Sequence, residues 1–305
     1  MRFLIIGAGG VGGVFGGELA RAGHDVTMFA RGAHRDAIER NGLTVREPEG
    51  EFTARVSATD SVADLPSADI AVIAVKSYSL AEVLPAVRTA AERGANVVPL
   101  LNGVTAADEL IAGGVPRSNV LGGLARVSAV RSAPGVVERL SGFKSMVVGE
   151  LGGGLSARAS AIADAFQGAG IDARASATMD VELWQKYVFI TAMAAVCGLG
   201  RASIGPMREA PGGHRLIKRA VGEVVAVARA RGVPLPEDEA ARTSAYIIDT
   251  LPPAMKPSFL LDLERGGANE LDVLAGAVHR LGRMHGVATP VHDVATAAFT
   301  VASMP

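Results

Sequence analysis

The sequence is poor in cysteine and aromatic residues and has no excess of charge of either sign. Cys197 is its single cysteine, which excludes an intrachain disulfide and makes a cysteine-based zinc site implausible. The 30 basic and 31 acidic residues leave a formal net charge of −1. Because this balance gives no whole-chain field for nucleic acid or an anionic membrane, we expect neither as a partner.

Long apolar runs are also missing. The longest, from Tyr187 to Gly200, is too short to span a bilayer and is typical of a buried helix. The opening run MRFLIIGAGG is broken by glycine and lacks the longer apolar region and cleavage site of a signal peptide. Together with the single cysteine, these features predict a cytoplasmic protein. The six histidines show no metal-ligand spacing, so no metal is expected.

Glycine, by contrast, is abundant. The chain has 37 glycines in 305 residues, about 12% against a usual ~7%. They do not follow a G-X-Y register, which excludes a collagen-like fold. Some of them should therefore mark turns, helix ends or a ligand-binding loop.

The first half of the chain alternates short β-branched runs with helix-like segments. The run IAVIAV is continuously apolar, as expected for a strand that is covered on both faces. Alternation of this kind predicts a parallel, doubly wound sheet. The strands expected in this sheet are Arg2–Ile6, Asp25–Phe29, Ile70–Val75 and Asn96–Leu101. Three further strands, which could be antiparallel, are expected at Val120–Val130, Val136–Leu140 and Ser145–Gly149.

After about residue 175 the pattern becomes helical, with proline and glycine between the helices. The sequence therefore predicts an α/β domain over residues 1–176 and an all-α domain over residues 177–305. The apolar helices could supply the interface of a homodimer. The expected helices are Asp180–Gly198, His214–Arg231, Glu237–Thr250, Glu270–His285 and Val291–Ala302.

A glycine-rich motif follows the first predicted strand and opens a helix, which is the context that a dinucleotide-binding loop requires. Its first glycine permits a tight turn, the second lets the backbone approach a pyrophosphate, and the third allows close helix–strand packing. A merely tight strand-to-helix turn is the alternative. The motif G-x-G-x-x-G consists of Gly7, Ala8, Gly9, Gly10, Val11 and Gly12.

The end of the second predicted strand indicates which cofactor binds. NAD-binding proteins usually place an acidic residue there, on the ribose 2′-hydroxyl. Here the strand runs into Ala30 and Arg31, with no acid. A guanidinium matches phosphate oxygens in bidentate geometry, so Arg31, helped by Arg35, favours NADP. The alternative is an arginine on the solvated surface.

Two further strands end in polar residues at the edge where open α/β sheets bind ligands. Ile70–Val75 runs into Lys76, and Asn96–Leu101 runs into Asn102 and Gly103. Lys76 could hold an anionic or hydroxyl group, and Asn102 could bind the nicotinamide ribose or a substrate oxygen. Alternatively, Lys76 only reaches into water, and Asn102 with Gly103 only forms a turn.

Three residues of the helical part are candidates for chemistry. Lys186 is the last charge before the apolar run, where partial desolvation lowers the pKa of a lysine toward the range of a general acid. Asp180 can cap the same helix, and the structural alternative for Lys186 is a lysine that snorkels at the rim of a core helix. Ser258 follows Pro257, and its structural alternative is a helix cap. Glu270 opens a predicted helix, where an acid also suits the helix dipole.

As an ordered set, these residues resemble the 2-dehydropantoate 2-reductase family, also called ketopantoate reductases. The resemblance implies a Rossmann domain followed by a helical domain like that of 6-phosphogluconate dehydrogenase, and NADPH-dependent reduction of ketopantoate to pantoate on the route to pantothenate and coenzyme A. It extends over nearly the whole chain and rests on GAGGVG, Arg31, Val75-Lys76, Leu101-Asn102-Gly103, Leu183-Trp184-x-Lys186, and Ser258 placed 12 residues before Glu270.

The resemblance also implies roles. Lys186 would match the catalytic lysine that donates a proton to the developing alkoxide. Glu270 would match the acid that binds the substrate hydroxyl and supports that lysine, and Ser258 a ligand of the substrate carboxylate. Lys76 and Asn102 would match residues of the interdomain cleft near the nicotinamide and the substrate, and Arg31 the ligand of the 2′-phosphate.

Two positions depart from the family pattern. Ile190 stands where the family usually has asparagine one turn after the lysine, and Ala275 where an asparagine often follows the glutamate. Both changes make the substrate pocket less polar. The alternatives to ketopantoate reduction are a reductase of another small 2-keto acid and a dehydrogenase with the same two-domain plan that acts on a different hydroxy acid or an opine. A non-catalytic NADPH-binding sensor is the alternative from a different class.

Overall fold

The computed structural model describes residues 1–302. The chain divides into two compact units. The first contains Met1–Leu101 and Thr105–Asp180, and the second contains Asn102–Val104 and Val181–Pro305, whose last three residues lie outside the described part. The segment that carries Asn102 therefore belongs with the second unit, although it comes soon after a strand of the first, which ends at Pro99.

The first unit contains the predicted parallel sheet. Its strands lie in the order β5-β2-β1-β6-β7, and every neighbouring pair is parallel. The strand order reverses between β1 and β6, which makes the carboxyl ends of these two strands the switch point where such sheets bind ligands. The strands are β1 (Arg2–Ile6), β2 (Asp25–Phe29), β5 (Ser57–Thr59), β6 (Ile70–Ile73) and β7 (Asn96–Pro99).

Helices cover both faces of this sheet, as the continuous apolar strands predict. On β1, Phe3 and Ile5 pack into one core cluster while Leu4 and Ile6 pack into another. A Rossmann-type, doubly wound fold is therefore confirmed. The helices of this unit are α1 (Gly10–Arg21), α2 (Gly32–Asn41), α3 (Leu80–Glu92), α4 (Ala106–Ala112) and α5 (Ala157–Gly168).

A second, mixed sheet completes the first unit, and here one prediction is wrong. The two strands expected at Val136–Leu140 and Ser145–Gly149 form one continuous strand, which pairs antiparallel with its predecessor. Ser141 holds the middle of that strand, because its Oγ accepts a hydrogen bond from Ser128 N and donates one to the Phe143 carbonyl. The strands are β3 (Leu43–Glu47), β4 (Gly50–Ala54), β8 (Gly122–Ala133), β9 (Val136–Gly149) and β10 (Asp172–Ser176).

The second unit is all-helical in the part that the structure describes. Most of α6 is buried in its core. Among the described helices, this one alone is long and apolar enough to cross a membrane. Of its apolar stretch, 61% is buried inside the protein, as in the core helix of a folded domain. The helices are α6 (Met179–Gly200), α7 (Ile204–Glu209), α8 (Gly213–Ala230), α9 (Glu239–Ala245), α10 (Ser258–Arg265), α11 (Ala275–His285) and α12 (Pro290–Ala302).

Two predicted helices of this unit differ from the structure. The helix expected at Glu237–Thr250 is α-helical only to Ala245 and ends in a π-helical segment, Tyr246–Thr250. The helix expected at Glu270–His285 begins as a short 3₁₀ segment, Leu271–Val273, and is interrupted at Leu274, where φ is −101° and ψ is −106°. Glu270 therefore precedes an interrupted helix and does not open a regular one.

Candidate active site

The glycine motif joins β1 to α1 at the switch point of the parallel sheet. Gly7 has a φ of +105°, and a Cβ on it would lie 2.7 Å from Cγ1 of Val75. A Cβ on Gly12 would lie 2.0 Å from the Gly7 carbonyl oxygen. Both positions therefore require glycine, one for the turn and one for the close approach of helix and loop.

Gly9 differs from its neighbours because the space beside it is open. It is the N-cap residue of α1, and a Cβ on it would meet nothing within 4 Å. The first N–H groups of a helix lack intrahelical partners and carry the positive end of its dipole. An open cradle at a helix N-terminus fits the pyrophosphate of a dinucleotide. Gly10 and Val11, at the start of α1, are partly exposed.

Arg31 lies on the surface just after β2. It is the N-cap residue of α2, and its Nη1 donates to Oε2 of Glu82 at 2.9 Å. Arg35, on the next turn, pairs with Asp36 and Asp60. An exposed pair such as Arg31–Glu82 contributes little to stability, so a stronger anion can displace the carboxylate from the guanidinium.

Lys76 lies just after β6, the strand that flanks the switch point opposite β1. It is exposed and caps a short 3₁₀ turn, Ser77–Ser79, which leads into α3. The preceding residues, Ala74 and Val75, are those that contact Gly7. The structure thus brings the chain that precedes Lys76 next to the glycine loop.

Asn102 and Glu270 lie together within the second unit. Nδ2 of Asn102 donates to Oε2 of Glu270 at 3.1 Å, and Glu270 is only 3% exposed. Gly103, with a φ of +97°, lets the backbone pass close to Val273. A Cβ added to Gly103 would lie 3.1 Å from Cβ of Val273. The pair Asn102-Gly103 is therefore a turn and also delivers an amide to a buried carboxyl.

Lys186 lies on α6, in the same unit. Its side chain is half-buried, and so is that of Ile190 one turn later. Ala275 is buried at the start of α11. The positions that depart from the family pattern therefore hold apolar side chains, one of them on the face of the helix that carries Lys186.

Tyr187 is a residue whose importance the sequence did not reveal. It is 1% exposed, and its hydroxyl donates to the Leu274 carbonyl at 2.8 Å. Burial raises the pKa of the phenol, so the hydroxyl keeps the proton that it donates. This bond ties the helix of Lys186 to the interrupted segment after Glu270. The sequence offered one signal for this contact, a tyrosine at the start of an apolar run directly after the lysine, because a buried hydroxyl needs a hydrogen-bond partner.

The expected helix caps are not found. Helix α6 begins at Met179, so Asp180 lies inside its first turn. The N-cap of α10 is Pro257, and Ser258 is the exposed first residue of that helix. Capping therefore does not account for Ser258, whose position twelve residues before Glu270 still rests on the resemblance alone.

Metal or thiol chemistry has no support in residues 1–302. Within them, no group of three histidine, cysteine or acidic side chains could hold a metal ion. Cys197 is buried in the second core, and burial raises the pKa of its thiol to about 12. A thiol in that environment is inert.

Profiles of one protein family match most of the chain. The profile described as ketopantoate reductase PanE/ApbA matches residues 3–153, and that of its C-terminal domain matches residues 178–302. The chain belongs to the ketopantoate reductase family. It is therefore an oxidoreductase of that family, as the ordered residue set predicts.

Individual relatives align over nearly the full length of the chain. It is 33% identical to the 2-dehydropantoate 2-reductase of Halobacterium salinarum and 31% identical to the uncharacterized oxidoreductase YkpB of Bacillus subtilis, each over 95% of both chains. Among solved structures, a PanE/ApbA family ketopantoate reductase from Ralstonia eutropha is 30% identical, with a TM-score of 0.88 over 99% of this chain and 98% of that one.

Proposed function

We propose that the protein is an NADP-dependent reductase of a small 2-keto acid, with 2-dehydropantoate as its substrate. The observation that carries this proposal is the contact between Asn102 and Glu270. An amide from the end of a sheet strand meets a buried carboxyl there, in the unit that also holds Lys186. Polar groups that converge in a buried position are what a site must offer to orient a hydroxylated substrate.

In this proposal the first unit binds the cofactor. The cradle at Gly7, Gly9, Gly10, Val11 and Gly12 would hold the pyrophosphate, and Lys76 would lie nearby. When bound, the dinucleotide supplies a hydride. Arg31 favours NADP because its guanidinium can exchange Glu82 for the more highly charged 2′-phosphate.

The second unit would supply the proton and the substrate contacts. Lys186 would donate its ammonium proton to the carbonyl oxygen of the substrate while the carbonyl carbon is reduced by the hydride, which would give the 2-hydroxy acid. A positioned general acid of this kind contributes about 10²- to 10⁴-fold to the rate. Glu270, oriented by Asn102, would accept a hydrogen bond from the substrate hydroxyl, and Ser258 would bind the substrate carboxylate.

A second candidate function follows from two observed side chains. Ile190 is half-buried one turn from Lys186, and Ala275 is buried. Neither side chain can donate a hydrogen bond to a hydroxyl group of the substrate. This composition favours a reductase of a 2-keto acid with a purely hydrocarbon side chain.

Oxidation of NADPH with two matched substrates separates these candidates. 2-Dehydropantoate and 3,3-dimethyl-2-oxobutanoate differ by one hydroxyl group. A site built to bind that hydroxyl rejects the analogue by about 10⁴-fold or more, whereas an apolar pocket discriminates by no more than about 10²-fold. We expect kcat/KM to favour 2-dehydropantoate strongly. Similar values for both would favour the second candidate, and tight NADPH binding without turnover of any 2-keto acid would indicate a sensor.

A further inference from the structure

His34 is buried within the proposed cofactor-binding unit, although its spacing in the sequence indicates neither a metal site nor a catalytic role. It lies on α2, three residues after Arg31, and is 5% exposed. Its Nε2 is 2.7 Å from the Ala8 carbonyl oxygen, inside the glycine motif. On the other side of the ring, Gly135 N donates to Nδ1 at 2.8 Å.

These two contacts define the protonation state of the ring. A backbone N–H can only donate, so Nδ1 must be the acceptor in the contact with Gly135. The ring proton is therefore on Nε2, which donates it to the Ala8 carbonyl. Burial lowers the pKa of His34 by more than the hydrogen bond to Ala8 raises it, and the charge of Arg131 lowers it further, so the ring is neutral at neutral pH.

The ring thereby joins three elements of one unit. Ala8 belongs to the glycine loop, His34 to the helix whose N-cap is Arg31, and Gly135 to the turn between β8 and β9. That turn is itself fixed, because the Gly135 carbonyl accepts a hydrogen bond from Thr44 N at 2.9 Å. Through His34, the glycine loop is thus connected by hydrogen bonds to a turn of the second sheet.

The orientation of the Ala8 carbonyl sets the orientation of the Gly9 N–H, because both groups belong to the same peptide unit. A peptide unit is planar and trans, so its carbonyl and its N–H point in opposite directions. Holding the Ala8 carbonyl against His34 turns the N–H of Gly9 away from His34. Gly9 is also the residue with open space beside it. A phosphate-binding loop must present N–H groups and direct its carbonyls elsewhere.

We propose that His34 is a positioning residue of the dinucleotide site, whose Nε2–H fixes the Ala8–Gly9 peptide so that Gly9 presents its N–H to the ligand. The inference rests on the proposed dinucleotide binding by this unit. It assigns His34 no contact with the cofactor and no part in proton transfer.

Two substitutions separate the two bonds of the ring. The side-chain amide of glutamine reaches about as far as Nε2, so His34→Gln keeps a donor for Ala8. The shorter amide of asparagine reaches only as far as Nδ1, so His34→Asn keeps an acceptor for Gly135 and loses the donor. His34→Ala loses both. His24→Asn is a matched control, because His24 belongs to the same unit and contacts the N-terminal amine and the Phe3 ring instead.

NADPH and NADH titrations give the first readout. Without the donor, the Ala8 carbonyl is satisfied only if its peptide turns toward water, and the apparent affinity falls with the fraction of molecules that keep the binding orientation, about tenfold or more. We expect that loss in His34→Asn and His34→Ala, affinity within about threefold of wild type in His34→Gln, and little change in kcat at saturating NADPH in all of them. Equal affinity in His34→Asn and wild type, or equal losses in the Asn and Gln variants, would overturn the proposal.

Hydrogen exchange of the ligand-free protein gives the second readout and does not depend on the proposed function. We expect faster exchange in residues 7–13 of His34→Asn than of His34→Gln or His24→Asn. If wild type binds neither NADPH nor NADH, the proposed function fails, and exchange alone decides whether His34 holds the loop. Unchanged exchange in His34→Asn would then refute that role.

Discussion

Asn102 and Glu270 stand 168 positions apart in the chain, and Nδ2 of Asn102 donates to Oε2 of Glu270 at 3.1 Å. The contact joins a residue that follows a sheet strand to one that precedes a helix. In the proposed function it orients the carboxyl that receives the substrate hydroxyl. Variants at the two positions should therefore affect the same step.

Replacing Asn102 with aspartate would place a second carboxyl against Glu270. Like charges at this distance oppose each other's ionisation. We expect kcat/KM to fall about tenfold further in Asn102→Asp than in Asn102→Ala, measured by steady-state NADPH oxidation at neutral pH. Asn41→Asp, at an exposed position of α2, is the control for net charge. Full activity in Asn102→Asp would show that Glu270 needs no amide beside it.

Ile190→Asn should change substrate preference. The substitution puts an amide on the half-buried face of α6 one turn after Lys186. We expect the kcat/KM ratio of 2-dehydropantoate over 3,3-dimethyl-2-oxobutanoate to rise about tenfold or more. Leu199→Asn introduces the same group on the same helix away from Lys186 and should leave the ratio unchanged. An unchanged ratio in Ile190→Asn would remove Ile190 from the substrate pocket.

Arg31 and Glu82 should act in opposite directions on cofactor affinity. Arg31→Ala removes a charged partner of the 2′-phosphate and should weaken NADPH binding about 10- to 100-fold, with little effect on NADH. Glu82→Gln removes a competing carboxylate and should strengthen NADPH binding. Fluorescence titration with both cofactors measures this, and Arg46→Ala, in the exposed Arg46–Glu51 pair, is the control. Equal losses for NADH and NADPH would contradict a 2′-phosphate contact.

Glu150 should make stability depend on pH. Hydrogen bonds from Arg158, and one from Ser156, lower the pKa of Glu150 from 4.5 to about 2. Because the folded state binds this proton less tightly, the stabilisation is complete above pH 4.5 and is lost as the pH falls toward 2. Glu150→Gln should cost about 2–3 kcal/mol at pH 7. Denaturant unfolding should show the two proteins converging in acid, and a pH-independent difference would contradict the assignment.

Much of the fold could be predicted because the signals are local. The apolar run that contains β6 and the glycine motif after β1 each carry their meaning within a few residues. Strands β3, β4, β5 and β10 were missed because they are short and partly exposed, and their stability comes from pairing with distant strands. The sequence predicted two strands in place of the continuous β9, because the middle of β9 is polar and is held by side-chain hydrogen bonds.

The candidate site was predicted as a set of residues but not as an arrangement. Nothing near Asn102 in the sequence indicates that its segment packs with the helical unit. The interruption at Leu274 contains neither proline nor glycine, and its carbonyl is bound by Tyr187, a contact that periodicity cannot encode. His34 was missed for the same reason, since both of its partners are backbone groups of distant residues.

Turnover by Lys186→Ala tests the central claim most directly. The rate of NADPH oxidation with 2-dehydropantoate should fall about 10²- to 10⁴-fold at saturating cofactor. The Kd for NADPH should stay at the wild-type value, because the proposed cofactor site lies in the other unit. Lys218→Ala, at an exposed position of α8, should retain full activity. Near-normal turnover in Lys186→Ala would contradict the assignment of this lysine as the proton donor, and with it the proposed reaction site.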